Sequence, residues 1–381
     1  MGFKIFDKYL FKKTVGTFCG LLFVTLFVFA IIDLAANGWI SLRNTAEIGR
    51  FFTYYLLFYN KVIGSFYPIF IFLAAGVALY VIDSNQELVA LKTMGASPAR
   101  IAAPLVAAAI AISLGLTAFR EFYVPTQVNY LSLSRTDYIR YSDEMEVNRA
   151  SDDAGNFSFD GEKIYFSEGK LIKPRIILGN TSNRYGNRFT AEAAVYCPAE
   201  GNRPQGWLFE GVTTPTEFLT SPSIKDPITE RTIFFSPVDH PDWLAGNQLF
   251  VATNITPTNL VAGDNWTVYG KLNELNRAIK DPTFKRKSVE LVVSVHTRIG
   301  QLFINLIPFF FGVPIYLTRP MGTKPILKVA TASLGAIPCL LSLVFQVVGL
   351  TMGIPDIAVC GPWIFVPFAL ALYSSLFSKE I

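Results

Sequence analysis

Long runs without a charged residue restrict this chain more than any other feature of its sequence. Six such runs are each close to the roughly 20 residues that a helix needs to cross the hydrocarbon core of a bilayer: 14–32, 62–82, 101–119, 299–318, 329–355 and 357–376. Hydrophobic residues make up 51% of the chain and charged residues 16%, which favours membrane embedding over several soluble domains. The sequence therefore predicts an α-helical membrane protein with six transmembrane helices.

The first run could be mistaken for a signal peptide, because four lysines lie ahead of it in residues 1–13. It is longer than a typical signal core, however, and no small-residue cleavage site follows it. We therefore interpret this run as transmembrane helix 1.

The stretch between the third and fourth runs has a different composition. Short alternating segments rich in β-branched and aromatic residues are separated by Gly, Pro, Asn and Asp, which is typical of strands. We expect strands at 171–178, 189–196, 206–212 and 231–235, a helix at 265–279, and a hairpin in which 156–159 and 163–166 flank Asp160-Gly161. The sequence therefore predicts an all-β, jelly-roll-like domain inserted between helices 3 and 4. The expected domains are 1–122 (helices 1–3), 123–295 (β-domain) and 296–381 (helices 4–6).

The distribution of Lys and Arg orients the six helices. An even number of spans puts both termini on one side, where the terminal arms and the connections 83–100 and 319–328 carry ten Lys and Arg. The short connections on the other side carry only Arg43 and Arg50. By the positive-inside rule both termini are cytoplasmic, and the β-domain lies in the periplasm.

The short polar connection between helices 2 and 3 carries the signals of an additional helix. Ser84 and Glu87 have the spacing of a capping box, Gly95 can supply the left-handed conformation that stops a helix, and Ser97-Pro98 marks the start of helix 3. The simpler alternative is a capped turn between two membrane helices. A turn needs only a few residues, so about three helical turns with apolar side chains indicate a surface that docks into a partner's groove.

Motifs for enzymatic chemistry are missing from the sequence. The two Gly-Lys pairs, at 169–170 and 270–271, are each followed by leucine, so neither completes a phosphate-binding loop. His240 and His296 are the only histidines, and no H-E-x-x-H or G-x-S-x-G motif occurs. We therefore expect a non-catalytic chain without a metal or cofactor. A Ser/Lys or carboxylate site assembled from distant residues of the β-domain stays open.

Cysteines and net charge exclude two further classes. The 4 cysteines show no disulfide framework, because three of them fall in apolar runs. The net charge is +4, and the basic residues are spread along the chain rather than clustered, so we expect no nucleic-acid partner.

Several short motifs occur in a fixed order along nearly the whole chain. They are Lys8-Tyr9-Leu10, Glu87-Leu88-Val89-Ala90-Leu91-Lys92 with Gly95 and Ser97, Pro125, the Phe-Thr-Ala-Glu-Ala strand at 189–193, Trp207-Leu208-Phe209 and His296-Thr297-Arg298. On these motifs the chain resembles the LptF/LptG (YjgP/YjgQ) permease family, the transmembrane subunits of the ABC transporter that extracts lipopolysaccharide from the inner membrane. The Glu-Leu-x-Ala-Leu-Lys pattern between two spans is the most specific of them.

This resemblance implies a half-transporter. Its partners would be a second LptF/LptG-like permease chain, an LptB-like cytoplasmic ATPase dimer and an LptC/LptA-like periplasmic bridge, with lipopolysaccharide as substrate. The helix at about 84–95 would be the coupling helix that sits in a groove of the ATPase. Its implied contact residues are Ser84, Glu87, Leu88, Leu91, Met94 and Gly95, with Glu87 forming the ion pair. The β-domain would pass acyl chains to the bridge by strand addition at an open edge.

Cationic residues at the outer membrane surface are candidates for contacts with the phosphates of lipopolysaccharide head groups. They are Arg43, Arg50, Lys61, Arg120 and Arg298. The alternative for each is ordinary snorkelling at the interface. Asp33 is a weaker candidate, as the partner of one of these cations.

Two other functions stay open on the sequence. An ABC permease of another class, with four spans and a periplasmic domain, would use the same coupling helix, but three spans precede the large domain here. A membrane-anchored β-domain that binds a ligand would leave that helix without a role. An apolar groove inside the β-domain would favour lipid passage, whereas a filled core would favour a binding module. Within the family, the sequences of segments 7–9 and 31–33 resemble LptG-like chains more than LptF-like chains.

Overall fold

A computed structural model describes most of the chain. The described residues are 5–37, 44–133, 138–139, 143–178, 188–201, 203–214, 216–225, 232–263, 265–318 and 323–378. The chain divides into two compact units. The helical unit contains Met1–Ser41, Tyr55–Tyr123 and Val292–Ile381, and the β-unit contains Leu42–Tyr54 and Val124–Leu291.

Fourteen α-helices are described. They are α1 (Ile5–Asn37), α2 (Thr45–Ile63), α3 (Tyr67–Ser84), α4 (Glu87–Thr93), α5 (Pro98–Ala118), α6 (Glu217–Thr220), α7 (Pro257–Ala262), α8 (Asn265–Tyr269), α9 (Leu272–Ala278), α10 (Ser288–Ile304), α11 (Ile307–Thr318), α12 (Pro325–Ala332), α13 (Ile337–Met352) and α14 (Pro355–Ser378). Six helical segments among the described residues are long and apolar enough to cross a membrane. The six predicted spans are thus confirmed.

Spans 4 and 5 are each built from two helices rather than from one. α10 and α11 are separated at Asn305 and Leu306, and a 3₁₀ turn, Ser333–Ala336, separates α12 from α13. A Cβ added at Gly335 would lie 2.5 Å from the backbone nitrogen of Gly312, so the turn lies directly against α11. Apolar composition predicts that a run spans the membrane but does not show where its helix is interrupted.

Small and branched apolar residues form the core of the helical unit. α1 packs on α3 and α5, and α11 packs on α3, α12 and α14. Ala75, Leu105 and Phe309 are among the buried residues of this core. Alanine-rich contacts of this kind let the backbones of membrane helices approach closely.

Eleven strands, all paired antiparallel, form the sheet of the β-unit in the described residues. They are β1 (Glu144–Glu146), β2 (Ala150–Asp152), β3 (Phe157–Asp160), β4 (Lys163–Tyr165), β5 (Lys170–Ile172), β6 (Arg175–Leu178), β7 (Arg188–Cys197), β8 (Gly206–Thr214), β9 (Ile224–Lys225), β10 (Thr232–Phe235) and β11 (Gln248–Ala252). The all-β, jelly-roll-like insertion is confirmed, including the strands expected at 189–196 and 206–212. Arg231, expected to begin a strand, lies outside the described residues.

The long strand β7 is the branch point of the sheet. One edge of β7 pairs with β8, which continues through β11 and β10 to β9. Its other edge pairs with β6 near Phe189 and with β5 near Ala194. The β5 branch continues through β4 to β1, and the β6 branch continues through β3 to β2. Three described strands, β1, β2 and β9, therefore end these paths.

The predicted hairpin around Asp160-Gly161 is wrong. β3 pairs with β2 and β6, whereas β4 pairs with β1 and β5, so the two strands flanking this dipeptide belong to different branches. Gly161 makes room for a neighbouring side chain instead, since a Cβ there would lie 2.6 Å from the Leu171 side chain, which would have to shift. Asp160 accepts from Arg149 and Arg175 rather than forming a turn.

Two other predicted elements are interrupted. The strand expected at 171–178 is divided into β5 and β6 by Lys173, whose φ of 46° turns the chain ahead of Pro174. The helix expected at 265–279 is divided into α8 and α9 at Gly270, whose N–H donates to Trp266 O at 2.9 Å. In both places the backbone turns at a residue that the periodicity of the flanking side chains does not reveal.

Aromatic side chains fill the interior of the β-unit. Trp207 is fully buried, and its ring lies edge-on to Phe159 with 5.3 Å between the ring centres. Phe189 and Phe209 lie 5.2 Å apart in the same cluster. Trp207 Nε1 donates to Ile255 O at 2.9 Å, so its polar atom is satisfied inside the core.

Gly206 gives a direct test of the packing between β8 and β11. A Cβ at this position would lie 2.1 Å from Val251 O, which is backbone and cannot rotate away. We expect Gly206→Ala to destabilise the β-unit by about 1–3 kcal/mol or more through overpacking, seen as faster hydrogen exchange in both strands. Gly246→Ala is the control, because nothing lies within 4 Å of a Cβ there. Equal exchange in the two variants would contradict the strand packing.

Candidate functional site

The connection between α3 and α5 contains the short helix α4, which begins differently from the predicted capping box. Ser84 is the last residue of α3, and its hydroxyl donates to Val81 O at 3.0 Å. α4 begins after Gln86, which has a φ of 60° and no side-chain cap. The capping box at Ser84 and Glu87 is therefore wrong. The prediction fails because α3 continues through Asp83 to Ser84, so Ser84 is not free to cap α4. The buried carboxylate of Asp83 is held by contacts described below.

The other end of α4 agrees with the sequence. Gly95 has a φ of 82°, and the N–H of Ala96 donates to Leu91 O at 3.0 Å, which closes the helix. Ser97 then caps α5 by accepting from the N–H of Arg100, with Pro98 in the first turn. α4 is thus shorter than the expected 84–95, and both of its ends are fixed by backbone geometry.

The side chains of α4 point in two directions. Leu88 is only 1% exposed and belongs to the core of the helical unit, and Leu91 packs partly against the same core. Glu87 is half-buried, whereas Met94 is 74% exposed. Of the predicted apolar contact residues, Leu88 and Leu91 therefore hold α4 on its own chain. The accessible surface consists of Glu87, Ala90, Thr93, Met94 and Gly95, together with Ser84 at the end of α3.

Lys92 ties α4 to α11. Its Nζ donates to the carbonyl oxygen of Leu317 at 2.9 Å. Leu317 lies in the last turn of α11, where carbonyl groups have no partner within the helix. Burial, followed by the nearby charge of Lys328, lowers the pKa of Lys92, and Asp83 opposes this shift. α4 is thus attached through a polar contact as well as through Leu88.

A buried ion pair lies at the same end of the helical unit. Lys328 Nζ is 2.8 Å from one carboxylate oxygen of Asp83 and 3.1 Å from the other. Tyr316 Oη donates to the same carboxylate at 3.0 Å. The side chains of Asp83 and Lys328 are 3% and 2% exposed. The contact joins the last turn of α3, the first turns of α12 and the end of α11.

A second polar cluster lies between α5 and α10. Arg120 donates to Gln301 Oε1, Gln301 donates to Asn305 at 2.7 Å, and Asn305 donates to Ser113 at 3.0 Å. Ser113 in turn donates to Leu302 O at 3.2 Å. The cluster also includes an ion pair, in which the buried Arg298 lies 3.5 Å from Glu121, whose side chain is 22% exposed.

The chain was compared with known protein families. A family model described as lipopolysaccharide export system permease LptF/LptG matches residues 8–379, which is nearly the whole chain. The chain belongs to the LptF/LptG permease family. No curated protein matches the chain. With six apolar helices, this LptF/LptG permease is a multi-pass protein of the inner membrane.

The structure places the predicted head-group residues of this permease in different settings. Arg120 is half-buried and Arg298 is 3% exposed, and both lie in the polar cluster between α5 and α10. Arg50 is half-exposed on α2, where its Nε donates to Ala46 O at 3.4 Å. Arg43 and the side chain of Lys61 lie outside the described residues. Asp33, the weaker candidate, accepts a hydrogen bond from Tyr55 at 2.8 Å.

Four polar residues of the permease were not identified from the sequence: Gln301, Asn305, Asp83 and Lys328. Gln301 and Asn305 follow the predicted candidate Arg298 at i+3 and i+7, which places the three on one helix face, and this spacing could have revealed the cluster. Asp83 and Lys328 each lie at the border of an uncharged run, where a loop position is the ordinary interpretation. No spacing rule connects two residues 245 positions apart.

Metal binding finds no support in the described residues of the LptF/LptG chain. No group of three or more His, Cys, Asp or Glu side chains there could hold an ion.

Proposed function

We propose that this chain is a permease subunit of a lipopolysaccharide-export ABC transporter, in which α4 is the coupling helix that docks on a cytoplasmic ATPase. The observation that supports this proposal best is that one face of α4 is attached to the membrane helices while the other face is accessible. Leu88 and Lys92 fix it to the membrane helices, while Glu87 and Met94 stay accessible. A force on the accessible side is therefore passed to the helical unit rather than absorbed by a loose loop.

The orientation of the chain follows from its charges. The positive-inside rule places α4, both termini and the connection between α11 and α12 in the cytoplasm. The β-unit is then periplasmic, and domain limits of 1–122, 123–295 and 296–381 belong to the same proposal. ATP hydrolysis takes place in the separate ATPase dimer, since this chain has no phosphate-binding loop.

The remaining partners are a second LptF/LptG-like chain and a periplasmic bridge. Two permease chains side by side would enclose the lipid path between their helical units. The strands that end the described sheet paths, β1, β2 and β9, are the surfaces to which a strand of the bridge could be added.

The exposure of each cationic side chain decides which candidates could contact lipid phosphates directly. Arg50, which is partly exposed on α2, is the described candidate best placed to bind a head group directly, and Arg43 and Lys61 stay candidates from the sequence. Arg120 is partly exposed but already donates to Gln301 in the polar cluster, so a head group would have to share its guanidinium with that contact. Arg298 is buried, so we assign it to the support of the α5–α10 cluster rather than to direct contact.

The filled interior of the β-unit favours a second role beside lipid relay. Phe159, Phe189, Trp207 and Phe209 are each at most 1% exposed, so an acyl chain could enter only by displacing them. A β-unit that binds the bridge protein at a strand edge needs no such rearrangement. A photoreactive residue at Phe209 that captures lipopolysaccharide would favour relay through the interior. Capture of only the bridge protein, from a photoreactive residue at Glu144 in β1, would favour the binding role.

Co-purification tests the coupling helix directly. We expect the detergent-solubilised wild type to bring along an ATPase with a phosphate-binding loop and a second six-span chain. Glu87→Ala combined with Met94→Asp should lose the ATPase and keep the second chain, because both substitutions change the accessible side of α4 only. Leu91 is left unchanged in this variant, because it packs against the core of its own chain and its replacement could unfold the helical unit.

Met94→Leu is the matched control, because it keeps an apolar side chain of similar volume at the same position. It should retain the ATPase at the wild-type level. If the wild type recovered no ATPase under any gentle condition, or if the double variant retained it, α4 would not be the docking element.

A further inference from the structure

Asp83, Tyr316 and Lys328 bring three membrane helices together at one point. The carboxylate of Asp83 receives two donors, the ammonium of Lys328 and the hydroxyl of Tyr316. All three residues are buried, and the side chain of Lys328 is only 2% exposed although it is a lysine. A buried charged side chain at the end of a membrane span is costly and usually has a functional role.

The placement of the two charges argues against a purely stabilising role. The C-terminal end of a helix carries partial negative charge and the N-terminal end partial positive charge. Asp83 is the next-to-last residue of α3, and Lys328 is in the first turns of α12. Each charge therefore lies at the unfavourable end of its own helix. A well-packed apolar pair of similar volume would usually be no less stable than such a buried ion pair.

An apolar groove of about 160 Å³ lies beside the ion pair, between α3, α11 and α12, and its lining includes Tyr80, Val313, Tyr316 and Val329. The groove is open on one side, where Tyr80 is 39% exposed. Along the groove the three helices make fewer contacts with one another than they would in a filled core, and the Asp83 contacts lie next to this gap.

The coupling helix is directly connected to this point. Asp83 is separated from α4 by only three residues, and Lys92 of α4 binds the carbonyl of Leu317, the residue after Tyr316. A displacement of α4 is therefore applied to α3 through the chain and to α11 through Lys92. α12 packs on both α3 and α11, and Lys328 adds the ion pair that connects it to the end of α3.

We propose that the Asp83–Tyr316–Lys328 contact is the joint that transmits movement of the coupling helix to α11 and α12. These are positioning residues, since they act on the lipid path through the helices they hold. The inference rests on the proposed function, because it takes α4 to be the element on which the ATPase acts. It adds to that function the route by which the stroke enters the membrane.

The test uses the complete transporter, purified with its ATPase and second permease chain and reconstituted in proteoliposomes that contain lipopolysaccharide. Asp83→Asn with Lys328→Met removes both charges, so neither is left buried without its partner. ATP hydrolysis and lipopolysaccharide released per ATP are measured together. We expect hydrolysis to stay near the wild-type rate and release per ATP to fall about tenfold, the size of an ordinary allosteric coupling.

A charge swap, Asp83→Lys with Lys328→Asp, supplies the rescue. It restores the ion pair and places each charge at the favourable end of its helix, so we expect it to fold and to recover most of the release per ATP. The control is Asp7→Asn with Arg100→Met, which removes another ion pair of the helical unit, between α1 and α5, and should leave release per ATP unchanged.

Each outcome decides the proposal. Loss in the neutral pair with recovery in the swap supports the joint. Wild-type release per ATP in the neutral pair, or a folded and assembled swap that stays uncoupled, overturns the joint while the docking of α4 stands. Absence of any ATPase from the wild-type preparation overturns the proposed function, and this inference with it.

Discussion

Replacing Lys328 alone with methionine is expected to lower the free energy of unfolding of the helical unit by about 3–5 kcal/mol, the usual effect of leaving a buried charge without its partner. Asp83 is 3% exposed and would keep only the Tyr316 hydroxyl as a described partner of its carboxylate. The change is measured in a variant whose other three cysteines are replaced by serine. The protein is heated with a thiol-reactive dye, and the temperature at which the buried Cys339 thiol reacts reports unfolding.

Two variants make this result specific to the ion pair. Adding Asp83→Asn to Lys328→Met should recover most of the lost stability, because no charge then stays buried. Asp7→Asn should cost clearly less than Lys328→Met, because the Arg100 side chain left without its partner is 46% exposed and can be hydrated. If Lys328→Met cost no more than Asp7→Asn, the carboxylate of Asp83 would have to be hydrated, contrary to the structure.

Trp207→Ala is expected to destabilise the β-unit by about 3–5 kcal/mol, because it opens a large cavity in a packed core. It also removes the donor to Ile255 O and the edge-on contacts with Phe159 and Tyr196. Pulse proteolysis of the purified full-length chain across a denaturant series measures the loss through cleavage within β7 and β8.

Trp243→Ala is the matched control for this prediction. Trp243 is 36% exposed and lies in a separate aromatic cluster with Phe235 and Phe250. Its truncation should cost far less than that of Trp207. Equal losses in the two variants would contradict the assignment of Trp207 to the centre of the β-unit.

The architecture of this permease was predictable because its strongest signals are local. A run such as 101–119 has to be a membrane helix, since its backbone polar groups can be satisfied in lipid only within a helix. The alternation of residues in 189–196 likewise requires a strand with one buried face. Both signals lie within a single element, so they hold whatever the element packs against.

The errors in the predicted elements come from contacts between distant residues. Asp160-Gly161 has the sequence of a hairpin turn, but Arg175 binds Asp160 and Leu171 packs where a Cβ of Gly161 would be. Ser84 has the spacing of a cap, but the helix before it continues as far as Ser84. In both cases tertiary contacts overrode a local preference.

The candidate site was predictable in position but not in detail. The pattern around Glu87 located the short helix α4 that we propose as the coupling helix, and the cap at Ser97 was confirmed. Which face of α4 is accessible could not be read from seven residues, because Leu88 and Met94 have similar hydrophobicity. The pairing of Asp83 with Lys328 depends on the packing of α3 against α12, which the sequence does not specify.

Site-specific photocrosslinking in cells tests the central claim most directly. A photoreactive benzoylphenylalanine at Met94, which is 74% exposed on α4, should crosslink to an ATPase that carries a phosphate-binding loop. The same residue placed at Val238, which is 54% exposed in the β-unit, should not capture that protein. Capture of the ATPase from Val238 but not from Met94 would contradict both the coupling role of α4 and the orientation of the chain.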